Sequence, residues 1–134
     1  ALDRGAVVLC DRYKLSTVIY QGVLKGVHMP TFMDILERIS PPDPDLYVVL
    51  LADGKTLRGR LEARKDVALT HFDGLERLQR CAAAYAGSWM WLDCGLAMLD
   101  TRDQMPDAVL QKVKRAVGQF LNLEFEERAR IITP

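Results

Sequence analysis

Two near-continuous apolar runs constrain the fold of this chain more than any other feature. They are Ala6–Cys10 (AVVLC) and Leu46–Ala52 (LYVVLLA), and a shorter run, Met90–Asp93 (MWLD), follows later. Short apolar runs that do not alternate with polar residues are typical of strands that are buried on both faces of a parallel sheet. The sequence therefore predicts three parallel strands.

Helical patterns lie between and after these runs, with apolar residues at spacings of three and four. Asp73 and Glu76 have the spacing of a helix cap and its third-position partner, and Pro106 suits the first turn of a helix. Strands that alternate with helices predict an α/β fold, a three-layer sandwich around a parallel sheet. The predicted helices are Thr31–Ser40, Asp53–Arg64, Asp73–Tyr85 and Pro106–Leu121.

Length and charge narrow the class of protein. A chain of 134 residues favours one domain, residues 1–122, followed by a tail, 123–134, whose mixed charges predict no packing face. The 18 basic and 18 acidic side chains give no net charge and form no basic block, which argues against binding nucleic acid or an anionic membrane surface. No apolar run is long enough to span a bilayer and no signal peptide is recognisable, so an intracellular location, cytoplasmic or organellar, is expected.

The three cysteines, Cys10, Cys81 and Cys94, are odd in number and lack the spacing of metal ligands. They are predicted to be buried, reduced thiols, and no metal site is predicted.

The tripeptide Gly54-Lys55-Thr56 follows a predicted strand and opens a predicted helix, which is the context of a phosphate-binding loop. The spacing does not match, because the position five residues before Gly54 is Val49, inside the strand. Asp53 would also repel a phosphate. The sequence predicts a capped helix start here, with Lys55 and Thr56 in solvent.

Asp11 and Arg12 are the stronger candidates for a site, because ligands of parallel α/β sheets bind beyond the carboxyl ends of the strands. Arginine offers a planar fork that matches phosphate or carboxylate. Hydroxyl, amide and aromatic side chains follow on the next turns: Tyr13, Ser16, Thr17, Tyr20 and Gln21. The alternative is that Arg12 pairs with Asp11 or a carboxylate of the tail, and that Tyr20 is a core residue. The residues alone leave both open.

The segment DRYKLSTVIYQG, Asp11–Gly22, resembles the DRY segment of thymidylate kinases, which runs from a strand end through Asp-Arg-Tyr to Ser-Thr and then Tyr-Gln-Gly. Pro44–Asp53 is similar to the family's next strand, and the resemblance extends from Ala1 to Leu121. Further matches are Arg60 and Arg64 in the following helix, Arg80 and Tyr85 in the helix after the lid, Met90–Cys94 as the last strand and Pro106–Leu121 as the last helix.

This resemblance implies phosphoryl transfer from ATP to dTMP, giving dTDP, with ATP and Mg²⁺ as cofactors. It implies that Arg12 holds the phosphate of the nucleoside monophosphate and that Asp11 helps to order the metal–phosphate cluster. It also implies that Tyr20 crowds the 2′ position of the sugar and so favours deoxyribose. The base and sugar pocket would be lined by Ser16, Thr17 and Gln21.

The chain departs from the family in two ways. Family members carry a strand and a Gly-rich phosphate loop before the DRY segment, whereas only ten residues precede Asp11 here and no G-x-x-x-x-G-K-[ST] motif occurs. In the family that strand lies between the two that Ala6–Cys10 and Leu46–Ala52 would form. The resemblance therefore implies a gap filled by a strand or chain from elsewhere, in a homo- or hetero-oligomer. The second departure is His71, which stands where bacterial members have a lid arginine.

Two functions follow from these departures. The chain is expected to be an incomplete thymidylate kinase that needs an N-terminal part with the phosphate loop and is inactive alone. The alternative is a pseudoenzyme, a non-catalytic kinase-like subunit or assembly factor of a larger complex.

Overall fold

The computed structural model describes residues 2–39, 42–64 and 74–122. The chain divides into two units, Ala1–Pro42 (unit 1) and Asp43–Pro134 (unit 2). The predicted boundary at residue 122 stays a prediction, because the predicted tail lies outside the described residues. Within the described ranges, no helix has both the length and the apolar character needed to cross a bilayer.

Unit 1 is helical. Helix α1, Lys14–Thr17, continues directly into a π-helical turn, Val18–Val23, and α2 covers Met29–Ile39. The core of the unit consists of apolar side chains from these segments: Leu15, Val18, Ile19, Leu24 and Leu36. Helix α2 confirms the predicted helix Thr31–Ser40 and begins two residues earlier.

Gly22 lets the π-helical turn approach α2 closely. A Cβ at this position would lie 2.9 Å from the Met29 sulfur and 3.2 Å from Cδ1 of Phe32, so these two side chains would have to shift to make room for it. The glycine of the Tyr-Gln-Gly sequence therefore favours close packing within unit 1.

The predicted strand Ala6–Cys10 is wrong. These residues form no strand, and all five are exposed. The physical reason is that a strand exists only as part of a hydrogen-bonded ladder, and no described segment pairs with this run.

Unit 2 contains the sheet. Strand β1, Leu46–Leu51, pairs in parallel with β2, Gly95–Asp100, in a register that places Leu46 opposite Gly95 and Leu51 opposite Asp100. Strand β1 confirms the prediction for Leu46–Ala52 to within one residue. The fold is α/β with a parallel sheet, as predicted, but the sheet in the described residues has two strands instead of three.

The predicted strand Met90–Asp93 is also wrong. Residues Ser88–Trp91 form a 3₁₀-helix, and the strand begins only at Gly95. The Gly95 N–H donates to the Asp45 carbonyl at 3.0 Å, and a Cβ at Gly95 would lie 2.7 Å from that oxygen. The start of β2 therefore depends on a glycine that allows close approach to the chain before β1, a signal that an apolar pattern does not contain.

Three further helices complete unit 2. They are α3, Gly54–Glu62, α4, Leu75–Ala86, and α5, Pro106–Phe120, which confirm three of the predicted helices with ends shifted by at most two residues. Helix α4 packs against α3 and β1, and α5 packs against both strands. Gly74 is the N-cap of α4, and the predicted cap Asp73 lies outside the described residues.

The cysteines differ in exposure. Cys81 is buried and Cys94 is partly buried, but Cys10 is exposed, so the prediction of three buried thiols is wrong for Cys10. All three are free thiols. Burial, followed by the negative charges of Asp43, Asp93 and Asp45, raises the pKa of Cys94.

Candidate functional site

A cavity of about 570 Å³ lies in unit 1, on the helical segment that follows Arg12. Its volume is within the range of small-molecule sites. Five of the six predicted site residues line it, and the sixth, Asp11, is exposed and does not. The full lining is Arg12, Tyr13, Lys14, Ser16, Thr17, Tyr20, Gln21 and Leu36.

The backbone turns sharply at Arg12 before the helical segment begins. Arg12 has a φ of 67°, in the left-handed region that a residue with a Cβ adopts at a cost of about 1 kcal/mol. The Cys10 thiol donates to the Arg12 carbonyl oxygen at 3.2 Å, and Tyr13, in extended conformation, is the N-cap of α1. This turn is where unit 1 changes from irregular chain to helix. A strained conformation of this kind is a reason to look for function.

The Arg12 guanidinium lies beside an aromatic ring. Its central carbon is 5.5 Å from the centroid of the Tyr20 ring, within the range of a cation–π interaction. In the part of the chain that the structure describes, Arg12 forms no ion pair, so the suggested pair with Asp11 is not formed. Tyr20 is only half-buried and lines the cavity.

The walls of the cavity carry positive charge and no negative charge. Two of the eight lining side chains, Arg12 and Lys14, are cationic, and none is a carboxylate, although the whole chain has no net charge. The hydroxyls of Ser16 and Thr17 and the amide of Gln21 add neutral hydrogen-bonding groups. The cavity therefore suits an anion attached to a polar, partly planar molecule.

Sequence reasoning missed the charged lining residue Lys14, and it named Tyr13 without giving it a role in the site. Lys14 brings the second charge, and its position two residues after Arg12 was the available signal. Tyr13 lines the cavity while its hydroxyl donates to the Pro42 carbonyl at 3.0 Å, a contact that sequence does not reveal.

The tripeptide Gly54-Lys55-Thr56 is a capped helix start. The Thr56 N–H donates to the Asp53 carboxylate at 2.7 Å, and this backbone hydrogen bond is the main reason that the pKa of Asp53 is lowered. Gly54 is buried, and a Cβ there would lie 2.5 Å from Cγ and 3.0 Å from the backbone nitrogen of Gln79 in α4. The glycine thus allows α3 to pack on α4, and Lys55 is exposed.

Arg60 of α3 forms hydrogen bonds at the carboxyl ends of the two strands. It donates to the Thr101 hydroxyl at 3.1 Å and to the Thr101 carbonyl at 2.5 Å. Thr101 is buried, and its hydroxyl donates to the Leu51 carbonyl at 3.0 Å. Arg60 is one of the two arginines that the family resemblance placed in this helix, and its hydrogen bonds lie within unit 2.

A second, smaller cavity of about 290 Å³ lies at the carboxyl ends of β1 and β2. Its cationic group, Arg102, forms a fork on Asp100, with a shortest contact of 2.6 Å. This side-chain hydrogen bond lowers the pKa of Asp100 to about 2. The other lining side chains are mostly alanines: Leu51, Ala52, Asp53, Ala82, Ala83 and Ala86.

The fold and the larger cavity define an α/β protein with a cation-lined site beside its DRY segment. Comparison with known proteins identifies the family. The sequence model of the family described as thymidylate kinase matches residues 1–113. The chain belongs to the thymidylate kinase family, which confirms the resemblance drawn from Asp11–Gly22.

Similar proteins include several bacterial thymidylate kinases. The chain is 38% identical to the thymidylate kinase of Caldicellulosiruptor saccharolyticus over 66 residues, which are 46% of this chain and 31% of that protein. It is 36% identical to that of Xanthomonas oryzae pv. oryzae over 87 residues, 65% of this chain and 37% of the relative. It is 35% identical to that of Desulfotalea psychrophila over 86 residues, 63% and 41% of the two chains.

The chain therefore aligns with between 31% and 41% of the length of these relatives. No solved structure matches it.

The family implies the use of ATP and Mg²⁺, but the described residues do not fit that pair of ligands. No group of three His, Cys, Asp or Glu side chains in the described ranges could hold a metal ion. Asp11 is exposed and stands apart from the cavity lining, and the sequence contains no G-x-x-x-x-G-K-[ST] motif. Of the predicted lid, His71 lies outside the described residues.

Proposed function

We propose that this chain forms the monophosphate-binding part of a thymidylate kinase, the enzyme that transfers a phosphoryl group from ATP to dTMP and releases dTDP. The observation that carries the proposal is the cavity of unit 1, in which Arg12, Ser16, Thr17, Tyr20 and Gln21 come together without a carboxylate. ATP and Mg²⁺ would be held by an N-terminal part with a phosphate loop. We also expect the protein to be intracellular.

In this proposal Arg12 binds the phosphate of dTMP. Its guanidinium has no carboxylate partner among the described residues, and its planar fork matches two phosphate oxygens. The Tyr20 ring, 5.5 Å from the guanidinium carbon, holds the fork beside the cavity.

The neutral residues of the cavity would recognise the nucleoside. Ser16, Thr17 and Gln21 present hydroxyl and amide groups, which suit the polar edge of a base and a sugar hydroxyl. Tyr20 would stand against the 2′ carbon of the sugar, so that a ribose hydroxyl would clash with its ring.

Catalysis by this part of the protein would consist of positioning and charge neutralisation. The transition state of phosphoryl transfer spreads negative charge over oxygen atoms, and the protein contributes little covalent chemistry. Arg12 would fix the accepting phosphate in line with the donor and reduce the repulsion between the two anions.

The alternative is a non-catalytic, kinase-like subunit or assembly factor. One sequence observation favours it: His71 stands where a lid arginine is expected. Histidine is mostly neutral at pH 7, so the permanent charge of that arginine is absent.

The binding role is tested by calorimetric titration of the purified full chain with dTMP and with thymidine, which lacks the phosphate. Arg12→Ala should weaken dTMP binding by about 1.5–3 kcal/mol, the contribution of a charge-assisted hydrogen bond, and leave thymidine binding unchanged. The matched control is Arg38→Ala, which removes an exposed arginine of α2 that does not line the cavity. Unchanged dTMP affinity in Arg12→Ala would contradict the proposal.

Catalysis is tested separately. The full chain is mixed with an N-terminal thymidylate kinase segment that carries the phosphate loop, and the conversion of dTMP to dTDP in the presence of ATP and Mg²⁺ is measured. Turnover that requires both parts and is lost in Arg12→Ala would support the kinase. dTMP binding without turnover in the mixture would favour the non-catalytic alternative.

A further inference from the structure

Tyr13 lies between the left-handed turn at Arg12 and the first residue of α1. Its side chain is half-buried and lines the cavity of unit 1. Its hydroxyl donates to the carbonyl oxygen of Pro42 at 3.0 Å, a residue 29 positions later that ends unit 1. One side chain is therefore both part of the cavity wall and hydrogen-bonded to a distant segment of the same unit.

Hydrogen bonds on both sides of Arg12 hold its backbone conformation. Arg12 has a φ of 67°, and a residue with a Cβ stays in this region only where its surroundings keep it there. The bond from the Cys10 thiol to the Arg12 carbonyl spans two residues, so it moves with the turn. The bond from Tyr13 to Pro42 spans 29 residues, so it fixes the turn relative to the rest of unit 1.

The direction of the Arg12 side chain depends on this turn. Arg12 is exposed, so burial does not fix where its long side chain lies, and the backbone conformation has to do so. A change in φ at Arg12 would rotate its Cα–Cβ bond away from the helical segment and from the Tyr20 ring, whose centroid is 5.5 Å from the guanidinium carbon. A displacement of about 1 Å in a group that positions a substrate is enough to cost about a hundredfold in rate.

We propose that Tyr13 is a positioning residue for phosphate binding that acts through Arg12, because its hydrogen bond to Pro42 holds the turn that directs the guanidinium toward the cavity. The inference rests on the proposed function and deepens it, since it adds a residue that does not itself bind the phosphate. The Tyr13 hydroxyl donates to a backbone carbonyl, and Arg12 alone of the two contacts the ligand.

A double-mutant cycle between Tyr13 and Arg12 tests the inference. Both dTMP and thymidine are titrated calorimetrically into the full chain, into Tyr13→Phe, into Arg12→Ala and into the double variant. Tyr13→Phe removes only the hydroxyl and keeps the ring in the cavity wall. The matched control is Tyr47→Phe, which removes a tyrosine hydroxyl from β1 of unit 2 and leaves the cavity lining unchanged.

We expect Tyr13→Phe to weaken dTMP binding about fivefold, the effect of losing one hydrogen bond, and to leave thymidine binding unchanged. In the Arg12→Ala background, Tyr13→Phe should have no further effect on dTMP, because the group that it positions is absent. Tyr47→Phe should bind both ligands like the unsubstituted chain. A purely structural role would not produce a loss that is specific to dTMP and requires Arg12.

Three results would overturn the inference in distinguishable ways. If the unsubstituted chain binds dTMP and Tyr13→Phe binds it equally well, the Pro42 contact does not position Arg12, and the proposed function survives. If Tyr13→Phe weakens both ligands equally, or weakens dTMP in the Arg12→Ala background as well, Tyr13 supports the cavity or contacts the nucleotide directly. If the unsubstituted chain does not bind dTMP, the proposed function fails together with this inference.

Discussion

The apolar segment at residues 7–9 should make this chain dependent on a partner strand. The exposed fractions of Val7, Val8 and Leu9 are 67%, 54% and 86%, which is unusual for three consecutive apolar residues. Separately, β1 pairs with β2 on one edge and with no described segment on the other. Unpaired strand edges and extended apolar segments invite pairing with another chain. We predict that a strand from outside this sequence covers each of them.

The free energy that a partner strand would contribute by covering this segment follows from the exposed fractions of its apolar side chains. Complete burial of a Val or Leu side chain contributes about 1.5–3 kcal/mol. Because Val7 and Leu9 are on average about three-quarters exposed, covering both should contribute about 2–5 kcal/mol to association. The double substitution Val7→Thr and Leu9→Thr places β-branched side chains, which favour strands, at both positions but removes most of this contribution.

Light scattering at several protein concentrations provides the assay. The chain alone should be associated or loosely packed and should not convert dTMP to dTDP with ATP. The double threonine variant should shift association to concentrations at least tenfold higher. The control is Ile39→Thr, because the Ile39 side chain is 72% exposed but belongs to a helix, and it should behave like the unsubstituted chain.

A monodisperse monomer that melts cooperatively would refute this reasoning, because it would show that the segment needs no partner. Phosphorylation of dTMP by that monomer would refute the functional part. Phosphate could then be held here without the loop that the family uses.

Three further predictions concern single contacts. Thr101→Val removes the hydroxyl that donates to the Leu51 carbonyl and accepts from Arg60 of α3. Its loss should lower the free energy of unfolding by about 2 kcal/mol and accelerate exchange of the amide at position 101 about thirtyfold. A change in the exchange rate below twofold would contradict this prediction. The pKa of Asp100, held at about 2 mainly by the Arg102 side chain, should rise toward about 3.9 in Arg102→Met, as followed by NMR titration. Because this pKa is lowered in the folded protein, the stabilisation is present above about pH 4 and is lost as the pH falls through 2; an unchanged titration would show that Arg102 is not the cause. Tyr20→Ala should narrow the preference for dTMP over its ribonucleotide in competitive binding, since it removes a steric penalty; equal loss of both nucleotides would mean that Tyr20 is a core residue.

Elements with strong local signals were predicted correctly. Strand β1 is an unbroken apolar run, and α3 begins with an aspartate whose side chain caps it. Helix α5 begins at Pro106, as expected for a proline in the first turn. Each signal is contained within a few residues, so the sequence alone could establish these elements.

The two wrong strands show where local signals are insufficient. The run Ala6–Cys10 has strand-like composition but has no ladder partner among the described residues. The true last strand starts at Gly95, whose pairing depends on Asp45, fifty residues earlier. Pairing between distant segments is set by the tertiary fold, and hydrophobic pattern does not encode it directly.

The candidate site could be predicted largely from sequence because it is local. Seven of its eight lining residues fall between Arg12 and Gln21, and helical spacing brings them to one cavity. Leu36 comes from α2, which packs against the π-helical turn at Gly22. Only the fold could reveal that contribution, and only the fold shows that Arg12 lies beside the Tyr20 ring instead of pairing with Asp11.

The two segments that the sequence suggested as phosphate sites differ in the charges of their side chains. The glycine of Gly54-Lys55-Thr56 is explained by packing against Gln79, and Asp53 occupies the helix start with a negative charge. In the cavity of unit 1, by contrast, Arg12 and Lys14 occur without any carboxylate. A glycine next to a lysine is therefore weak support for phosphate binding, because helix packing requires the same residue. Two cations that line one cavity with no carboxylate among the other lining side chains are stronger support.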